Sequence, residues 1–194
     1  MSALFAILSR MRHITRWGLM RNAVREDIQQ HSHQAATIAH CLAVIRNRVY
    51  GGSVSPERVA LLALYHDAGE VITGDLPTPV KNHSPELHGA YKRLERLAEE
   101  RLVELTPEPL RPDFAPLFLA DRPEDREALE LVKAADRLCA YLKCLEERRA
   151  GNREFEMAEE ASLRALREHA LPETEWFLKR FGPAFHLTID ELNA

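Results

Sequence analysis

The sequence predicts an all-α protein, with a single domain over residues 1–194 and roughly seven to nine helices. Three observations lead to this prediction. Most long segments place their apolar residues three and four positions apart, and few alternate with the period of two that marks a strand. Serine, proline and acidic residues precede several of these segments and glycine follows them, as at helix ends. With 45% hydrophobic and 29% charged residues among 194, the chain is typical of globular proteins that bury a core.

The helices follow in order from these signals. We predict them near residues 2–12, 30–47, 55–73, 84–105, 124–150, 153–170 and 173–181. Serine, proline and glutamate start two of them, at Ser55–Glu57 and at Ser84–Glu86, and a capping box at Thr188–Glu191 opens a short last helix. Gly74 and Gly151 stand where C-terminal glycines belong. Residues 106–123 are rich in proline and are predicted to be irregular, with a helical turn near residues 115–119.

Composition excludes several classes of protein. The net charge of -4 and the pI of about 6.1 argue against binding a nucleic-acid polymer. We find no apolar run of the ~20 residues that a membrane helix needs, and the apolar part of MSALFAILSRMR is too short for a secretory signal, so we expect a cytoplasmic location. The three cysteines are Cys41, Cys139 and Cys144. They form no CxxC pair and are predicted to be buried reduced thiols.

Polar residues interrupt the apolar faces of three predicted helices. In the helix after Gln30, an apolar stripe projects back by one turn onto His31, whereas His33 and His40 share a different face. That stripe is made of Ala35, Ile38, Leu42 and Ile45. We therefore expect His31 to point inward and His33 to point outward.

The second and third helices repeat this pattern. In the second, the apolar residues Val59, Leu62 and Ala63 lead at helical spacing into His66 and then Glu70, and Asp67 lies about 100° round the same helix. In the third, Asp136 falls within a stripe otherwise made of Leu129, Val132, Cys139 and Leu142. Each of the three helices thus carries an ionisable group at a core-facing position.

A divalent cation would explain these positions, because a buried carboxylate without a partner is costly. Two imidazoles and two carboxylates suit Mn, Fe, Co or Ni better than a closed structural zinc site, and suit magnesium less. Taken singly, each position has an ordinary explanation. His31 alone is more often a hydrogen-bonded core histidine, Asp136 alone more often pairs with Lys133 or Arg137, and a His-Asp pair occurs by chance. Their combination on three helices favours the metal site.

The order His31, His66–Asp67, Asp136 resembles the H…HD…D arrangement of the HD-domain phosphohydrolases. Longer segments resemble the bacterial 5'-deoxynucleotidases of that family, which remove phosphate from deoxyribonucleoside 5'-monophosphates. These segments are RWGLMRN, HSHQ, LALYHDAGEVITGDLPTPVK, KAADRLCAYLKCLE and FHLTIDEL, and they run from the N-terminal part of the chain to its last residues. The resemblance implies a helical HD-type domain around a buried metal site, a deoxyribonucleoside 5'-monophosphate as substrate, and a homodimer.

The resemblance also implies roles for single residues. The predicted ligands of one divalent transition-metal cation per chain, such as Co or Mn, are His31, His66, Asp67 and Asp136. Of these, His31, Asp67 and Asp136 are also expected to contact the substrate. Arg16 is expected to orient the phosphate, Trp17 to contact the sugar, and Glu70 to take part in catalysis. The predicted substrate loop consists of Asp75, Leu76, Pro77 and Thr78. Gln30 departs from the glutamate that relatives commonly carry there, which could alter the orientation of His31.

From the chemistry of phosphate monoesters, we expect a metal-activated water as the nucleophile, oriented by Asp67. Glu70 would transfer a proton from that water or to the leaving 5'-oxygen, and its ordinary alternative is a hydrogen-bonded partner of an imidazole. Without the resemblance, Arg16 would be read as a surface arginine, and the loop as a turn after Gly74.

Two other functions stay open at this point. One is a different hydrolase of the same family, a nucleoside triphosphatase or a cyclic-nucleotide phosphodiesterase. Relatives that bind two metals need further histidines, and we expect His83 and His88 to lie on the surface. The other is a catalytically silent nucleotide-binding module, which the presence of Arg16, Glu70 and the acidic loop disfavours.

Overall fold

The computed structural model describes residues 1–169 and 171–194, and it confirms the all-α fold class. The α-helices are α1 (Leu4–Leu8), α2 (Ile28–Val49), α3 (Pro56–Tyr65), α4 (Glu70–Thr73), α5 (Thr78–Lys81), α6 (Pro85–Leu105), α7 (Arg111–Phe118), α8 (Arg126–Arg149), α9 (Glu156–Glu168), α10 (Pro172–Phe181) and α11 (Ile189–Leu192). Short 3-10 helices occupy Ser9–His13, Glu108–Leu110, Pro123–Asp125, Arg153–Phe155 and Gly182–His186. Over the described residues, extended pairing is limited to one isolated bridge, between Thr15 and Asp27. None of the described helices has the length and apolarity needed to cross a membrane.

Several predicted helix ends are confirmed by their capping bonds. Ser55 and Ser84 accept backbone bonds at the starts of α3 and α6, and Thr188 and Glu191 form the predicted capping box. Gly151 follows α8 with a φ of 81°, a left-handed conformation that glycine adopts without strain. The predicted helix over 153–170 is α9 with a 3-10 turn before it, and its predicted end at residue 170 lies outside the described residues.

The predicted continuous helix over residues 55–73 is wrong. Helix α3 ends at Tyr65, residues 66–69 form a tight turn, and α4 starts at Glu70. Backbone bonds in the turn connect residues three apart, from the Ala68 N–H to the Tyr65 carbonyl and from the Glu70 N–H to the Asp67 carbonyl. A period of three puts Tyr65, Ala68 and Val71 on one side, where they join a single hydrophobic cluster. At the HD doublet, the bonds between residues three apart thus accompany the packing of this side against the core.

The proline-rich segment is more regular than predicted, because it forms the eight-residue helix α7. Pro112 lies in the first turn of α7, where a missing N–H leaves no helical bond unmade. Pro116 lies inside the helix and cannot donate to the carbonyl of Pro112. The Arg122 guanidinium donates to that carbonyl at 3.4 Å instead. A tertiary hydrogen bond thus replaces the helical one.

The chain divides into two compact units. The first contains residues 1–21, 25–33 and 64–126. Its hydrophobic cluster is built on Leu4, Ala68, Leu102 and Phe118. The Tyr65 ring packs edge-on against Phe114 and Phe118, and Phe114 packs edge-on against Phe5. This cluster supports the turn that carries His66 and Asp67.

The second unit contains residues 22–24, 34–63 and 127–194. Helix α8 is its most buried helix by side chains, and one face carries a buried ion pair between Lys143 and Glu147. The Glu147 carboxylate also accepts the N–H groups of Ala23 and Val24 and the Asn152 amide. A second ion pair joins Arg46 to the buried Glu173 at 2.7 Å. A single domain over the whole chain stays a prediction.

Candidate active site

Three of the predicted metal ligands converge in the first unit. The Nε2 atoms of His31 and His66 are 3.3 Å apart, and the Asp67 Oδ2 atom is 3.4 Å from the first and 3.2 Å from the second. His31 is fully buried, whereas His66 and Asp67 are half-buried. One side of the cluster is therefore packed against protein and another can reach solvent.

His31 is placed by the start of helix α2. Asp27 precedes the helix, and its Oδ1 atom accepts the Gln30 N–H at 2.9 Å. The Gln30 side chain returns the bond by accepting the Asp27 N–H at 3.1 Å. This is a capping box, and it fixes the first turn of the helix that carries His31. Glutamine completes the box as glutamate would, so the departure at Gln30 leaves the position of His31 supported.

His33 and His40 are exposed on the same helix, as predicted. His83 and His88 are also exposed, which confirms their assignment to the surface. The His88 Nδ1 atom lies 3.0 Å from the Asn82 Oδ1 atom, which accepts the bond. Over the described residues, the histidines that come within metal-binding distance of one another and of a carboxylate are His31 and His66.

The cluster of His31, His66 and Asp67 fits a divalent cation. Its three ligand atoms form a nearly equilateral triangle with edges of 3.2 to 3.4 Å. The point equidistant from them lies about 1.9 Å from each, close to the ~2.0–2.2 Å of bonds from zinc to imidazole nitrogen or carboxylate oxygen. Two nitrogens and one oxygen also form a donor set that borderline transition metals accept.

The fourth predicted ligand, Asp136, belongs to the second unit. It lies on α8 and is half-buried, while Val132 and Cys139 beside it on the predicted stripe are buried. Its burial agrees with the interrupted apolar stripe seen in the sequence. Its role as a ligand stays a prediction.

Arg16 connects the cluster to the N-terminal segment. One terminal nitrogen of its guanidinium donates to Asp67 Oδ2 at 3.2 Å, and its Nε donates to Glu26 Oε2 at 3.1 Å. The side chains of Arg16 and Glu26 are only 13% and 11% exposed. A surface arginine, the alternative reading of the sequence, is therefore excluded.

Trp17 follows directly, and its indole Nε1 donates to the same Glu26 Oε2 atom at 3.1 Å. The backbone of Trp17 has a φ of 58°, which is rare for a residue with a side chain. Such conformations persist only where the surroundings fix them, and they are common at functional sites. Trp17 is half-buried beside Arg16.

Glu70 is 8% exposed, and its Oε1 atom lies 3.4 Å from the Lys81 ammonium. Burial, together with the nearby Asp67 and Asp75 carboxylates, raises the pKa of Glu70 to about 8, although Lys81 and Arg16 oppose this. Its other oxygen, Oε2, is buried and accepts no hydrogen bond from the residues that the structure describes. The site therefore contains a carboxyl group that titrates near neutral pH.

The predicted substrate loop lies between α4 and α5. Asp75, Leu76 and Pro77 are half-buried, whereas Thr78 is exposed and starts α5. Gly74 precedes the loop with a φ of 74°, and its carbonyl accepts a bond from the Tyr91 hydroxyl at 3.4 Å. The loop is thus tied to α6, with Asp75 near enough to Glu70 to influence its pKa.

Sequence reasoning missed two residues of this site. Glu26 is not part of an apolar periodicity that would single it out in the sequence. Its bonds to Arg16 and Trp17 assign it to the site. Lys81 stands at the end of the LPTPVK segment, but its position over the Tyr91 ring and beside Glu70 depends on packing between helices α5 and α6.

Solved structures share this fold. An HD-domain phosphohydrolase from Listeria innocua superposes with a TM-score of 0.75 at 20% identity, covering 98% of this chain and 91% of that one. The cyanophage S-2L HD phosphohydrolase DatZ, solved bound to dA and one catalytic Zn²⁺ ion, gives 0.63 at 22% identity and covers 94% of this chain and 96% of that one. The chain thus has the fold of the HD-domain phosphohydrolases.

Sequence relatives narrow the assignment. The 5'-deoxynucleotidase YfbR of Escherichia coli is 51% identical over 195 residues, which cover 99% of this chain and 96% of that protein. A 5'-deoxynucleotidase of Vibrio parahaemolyticus is 50% identical over 192 residues, covering 99% and 98% of the two chains. The model of the YfbR-like 5'-deoxynucleotidases matches residues 3–185. The chain belongs to the YfbR-like 5'-deoxynucleotidase family, which confirms the resemblance seen in its motifs.

Proposed function

We propose that this chain hydrolyses 2'-deoxyribonucleoside 5'-monophosphates to deoxyribonucleosides and phosphate, with one divalent transition-metal cation per chain. The observation that carries the proposal is the convergence of His31, His66 and Asp67, with the Arg16 guanidinium on the same Asp67 oxygen. Membership of the YfbR-like 5'-deoxynucleotidase family supports the choice of substrate. Asp136 is proposed as the fourth ligand.

Phosphate monoesters are dianions that hydrolyse very slowly, so the site must offset negative charge and supply a nucleophile at neutral pH. When bound, the cation would lower the pKa of a water molecule and offset charge on a phosphoryl oxygen. Asp67 is proposed to orient the attacking water with its second carboxylate oxygen. The planar guanidinium of Arg16 supplies several N–H donors suited to phosphoryl oxygens.

Glu70 is proposed to transfer the proton, either from the water or to the departing 5'-oxygen. A carboxyl with a pKa of about 8 can exchange protons in both directions near neutral pH. Glu70 forms an ion pair with the Lys81 ammonium, which favours proton transfer over the alternative of supporting a metal ligand.

The remaining substrate contacts are proposed from the family resemblance. Trp17 would form an apolar wall against the deoxyribose, where a 2'-hydroxyl would be crowded and left without a partner. Asp75 would accept a hydrogen bond from a sugar hydroxyl, with Leu76, Pro77 and Thr78 completing the loop. Cobalt or manganese as the cation, a homodimer and a cytoplasmic location are also proposals.

Phosphate release tests the function. Purified protein is assayed with a panel of deoxy- and ribonucleoside 5'-monophosphates, first with a chelator and then with each of several divalent cations added back. We expect release from the deoxyribonucleotides only when a cation is present. Release that is unaffected by the chelator, or restricted to triphosphates or cyclic nucleotides, would overturn the proposal.

The ligand set has a matched pair of variants on one helix. His31→Ala removes the buried imidazole, whereas His33→Ala removes an exposed one two residues away. We expect His31→Ala to lose bound metal, measured by elemental analysis, together with activity, and His33→Ala to keep both. Equal metal content in the two variants would contradict the assignment of His31.

A further inference from the structure

Glu26 joins the two residues expected to meet the phosphate and the sugar. Its Oε2 atom accepts both the Arg16 Nε and the Trp17 Nε1 hydrogen bonds, each at 3.1 Å. The glutamate is half-buried, with its side chain 11% exposed. One carboxylate oxygen therefore orients a guanidinium and an indole at the same time.

The backbone of Glu26 is fixed independently of its side chain. The Arg16 N–H donates to the Glu26 carbonyl at 3.0 Å, Thr15 forms an antiparallel bridge with Asp27, and the Ile28 N–H donates to the Ile14 carbonyl at 3.1 Å. Residues 14–16 and 26–28 thus run side by side. The carboxylate projects from a backbone that is itself hydrogen-bonded to the segment it orients.

The two side chains that Glu26 contacts have restricted conformations. With Nε bound to Glu26, the Arg16 fork presents a terminal nitrogen to Asp67 Oδ2 at 3.2 Å. The backbone of Trp17 is in the left-handed region, which costs free energy for a residue with a side chain and persists where surrounding contacts stabilise it. Both side chains donate to the same acceptor, Glu26 Oε2.

We infer that Glu26 is a positioning residue that couples phosphate orientation to sugar selection. It holds Arg16 towards the metal-ligand cluster and Trp17 as a rigid wall through one shared oxygen. This inference rests on the proposed function for its substrate. It gives a role in the site to Glu26, which lies outside the motifs that predicted the other site residues. An ordinary ion pair would stabilise the fold without affecting the preference for one sugar.

The first test measures Trp17 directly and needs neither metal nor substrate. The sequence contains two tryptophans, so Trp176→Phe leaves Trp17 as the sole tryptophan, which is excited selectively at wavelengths that tyrosine does not absorb. In that background, we expect Glu26→Ala to lower the fluorescence anisotropy and to increase quenching by acrylamide, with Glu26→Gln intermediate because its amide oxygen still accepts a bond. Unchanged anisotropy and quenching in both variants would overturn the inference.

The second test measures selectivity, as kcat/KM for 2'-deoxyadenosine and adenosine 5'-monophosphates. We expect Glu26→Ala to lower kcat for the deoxyribonucleotide by about tenfold or more, because small displacements of a positioned group are costly. Its deoxy-to-ribo ratio should move towards that of Trp17→Ala, with Glu26→Gln again intermediate. A lowered rate with an unchanged ratio would reject the coupling.

Glu104→Gln is the matched control, since it removes an exposed glutamate that pairs with Arg101 at 2.8 Å on α6. We expect it to keep the parental rate, ratio and fluorescence, and equal changes in this variant would reject a specific role for Glu26. If Glu26→Ala fails to fold, Glu26→Gln, which has the same shape without the charge, decides the outcome. If the parental protein releases no phosphate from any monophosphate, the proposed function fails, and the fluorescence test still decides whether Glu26 fixes Trp17.

Discussion

Glu70 illustrates how the surroundings of a residue can shift its pKa far from the value of an exposed glutamate. An exposed glutamate titrates near pH 4.5, whereas burial beside Asp67 and Asp75 raises the pKa of Glu70 to about 8. Lys81 at 3.4 Å limits the rise but does not remove it. Such perturbed groups in a cluster of metal-binding side chains are typical of catalytic acids and bases.

Replacement of Glu70 by glutamine separates catalysis from metal binding. Glu70→Gln keeps the size of the side chain but cannot transfer a proton, so we expect bound metal to be retained while kcat falls by about 100-fold or more. Metal content and steady-state kinetics provide the two measurements. The control is Glu99→Gln, since burial also raises the pKa of this half-buried glutamate on α6. Near-parental turnover in Glu70→Gln would remove Glu70 from the mechanism.

The same variant tests the raised pKa in metal-free protein. A carboxyl with a raised folded-state pKa stabilises the fold below its ordinary value of 4.5, and that stabilisation is lost as the pH rises to about 8. Glutamine does not titrate. The free energy of unfolding of the parent, minus that of Glu70→Gln, should therefore fall between these pH values by at most about 1.4 kcal/mol per pH unit. Urea titrations with a chelator present measure the difference, and a flat difference would refute the raised pKa.

At the scale of elements, the site depends on where two helices begin and end. Helix α2 begins at Ile28, which places His31 in its first turns, and helix α3 ends at Tyr65, just before the HD doublet. The tight turn at residues 66–69 directs Ala68 into the core. Packing of Ala68 fixes the turn, and the half-buried His66 and Asp67 are positioned by it.

The capping box of α2 gives a prediction at this scale. Gln30→Ala removes the acceptor for the Asp27 N–H, and we expect the free energy of unfolding to fall by about 0.5 to 1 kcal/mol. Gln29→Ala, at the neighbouring exposed position, should have little effect. Urea unfolding of the two variants measures the difference. Equal stability would show that the box does not support the start of α2.

At the scale of the whole molecule, stability rests on buried charges as well as on apolar packing. Lys143 and Glu147 are both buried on α8, and the Glu147 carboxylate accepts four hydrogen-bond donors: Lys143, Ala23, Asn152 and Val24. Burial alone would raise the pKa of Glu147, but these donors outweigh it and lower the pKa to about 2. The pair ties residues 22–24 to α8 within the second unit.

Because of this ion pair, we expect the free energy of unfolding to decrease in acid. Because its folded-state pKa is lowered, Glu147 stabilises the fold above pH 4.5, and the contribution is lost as the pH falls towards 2. Glu147→Gln leaves a buried ammonium without its carboxylate, so we expect a cost of about 3–5 kcal/mol at pH 7. The deficit should shrink as the pH falls below 4.5. Chemical denaturation against pH measures it, and a deficit independent of pH would contradict the assignment.

Glu146→Gln is the neighbouring control, at an exposed position on the same helix. We expect its stability to stay within about 0.5 kcal/mol of the parent at every pH. A similar loss in both variants would indicate a general effect of charge on α8 and not the buried pair.

The sequence by itself determined the helical fold class and most helix starts, and it predicted the three side chains, His31, His66 and Asp67, that the structure brings together. Apolar periodicity is a local property, so His31 could be recognised as the polar member of an inward stripe. Serine-proline-glutamate signals act within one turn and marked the starts of α3 and α6 correctly.

Only the tertiary structure decided where the helix at the HD doublet breaks, how α7 tolerates Pro116, and which residues support Arg16 and Trp17. Each of these depends on partners distant in sequence: the core around Ala68, the Arg122 guanidinium, and the Glu26 carboxylate. Periodicity records which side of an element is buried and carries no information on what lies against it. The same reason explains why the sequence pointed to Glu70 but neither to Lys81 beside it nor to the raised pKa of Glu70.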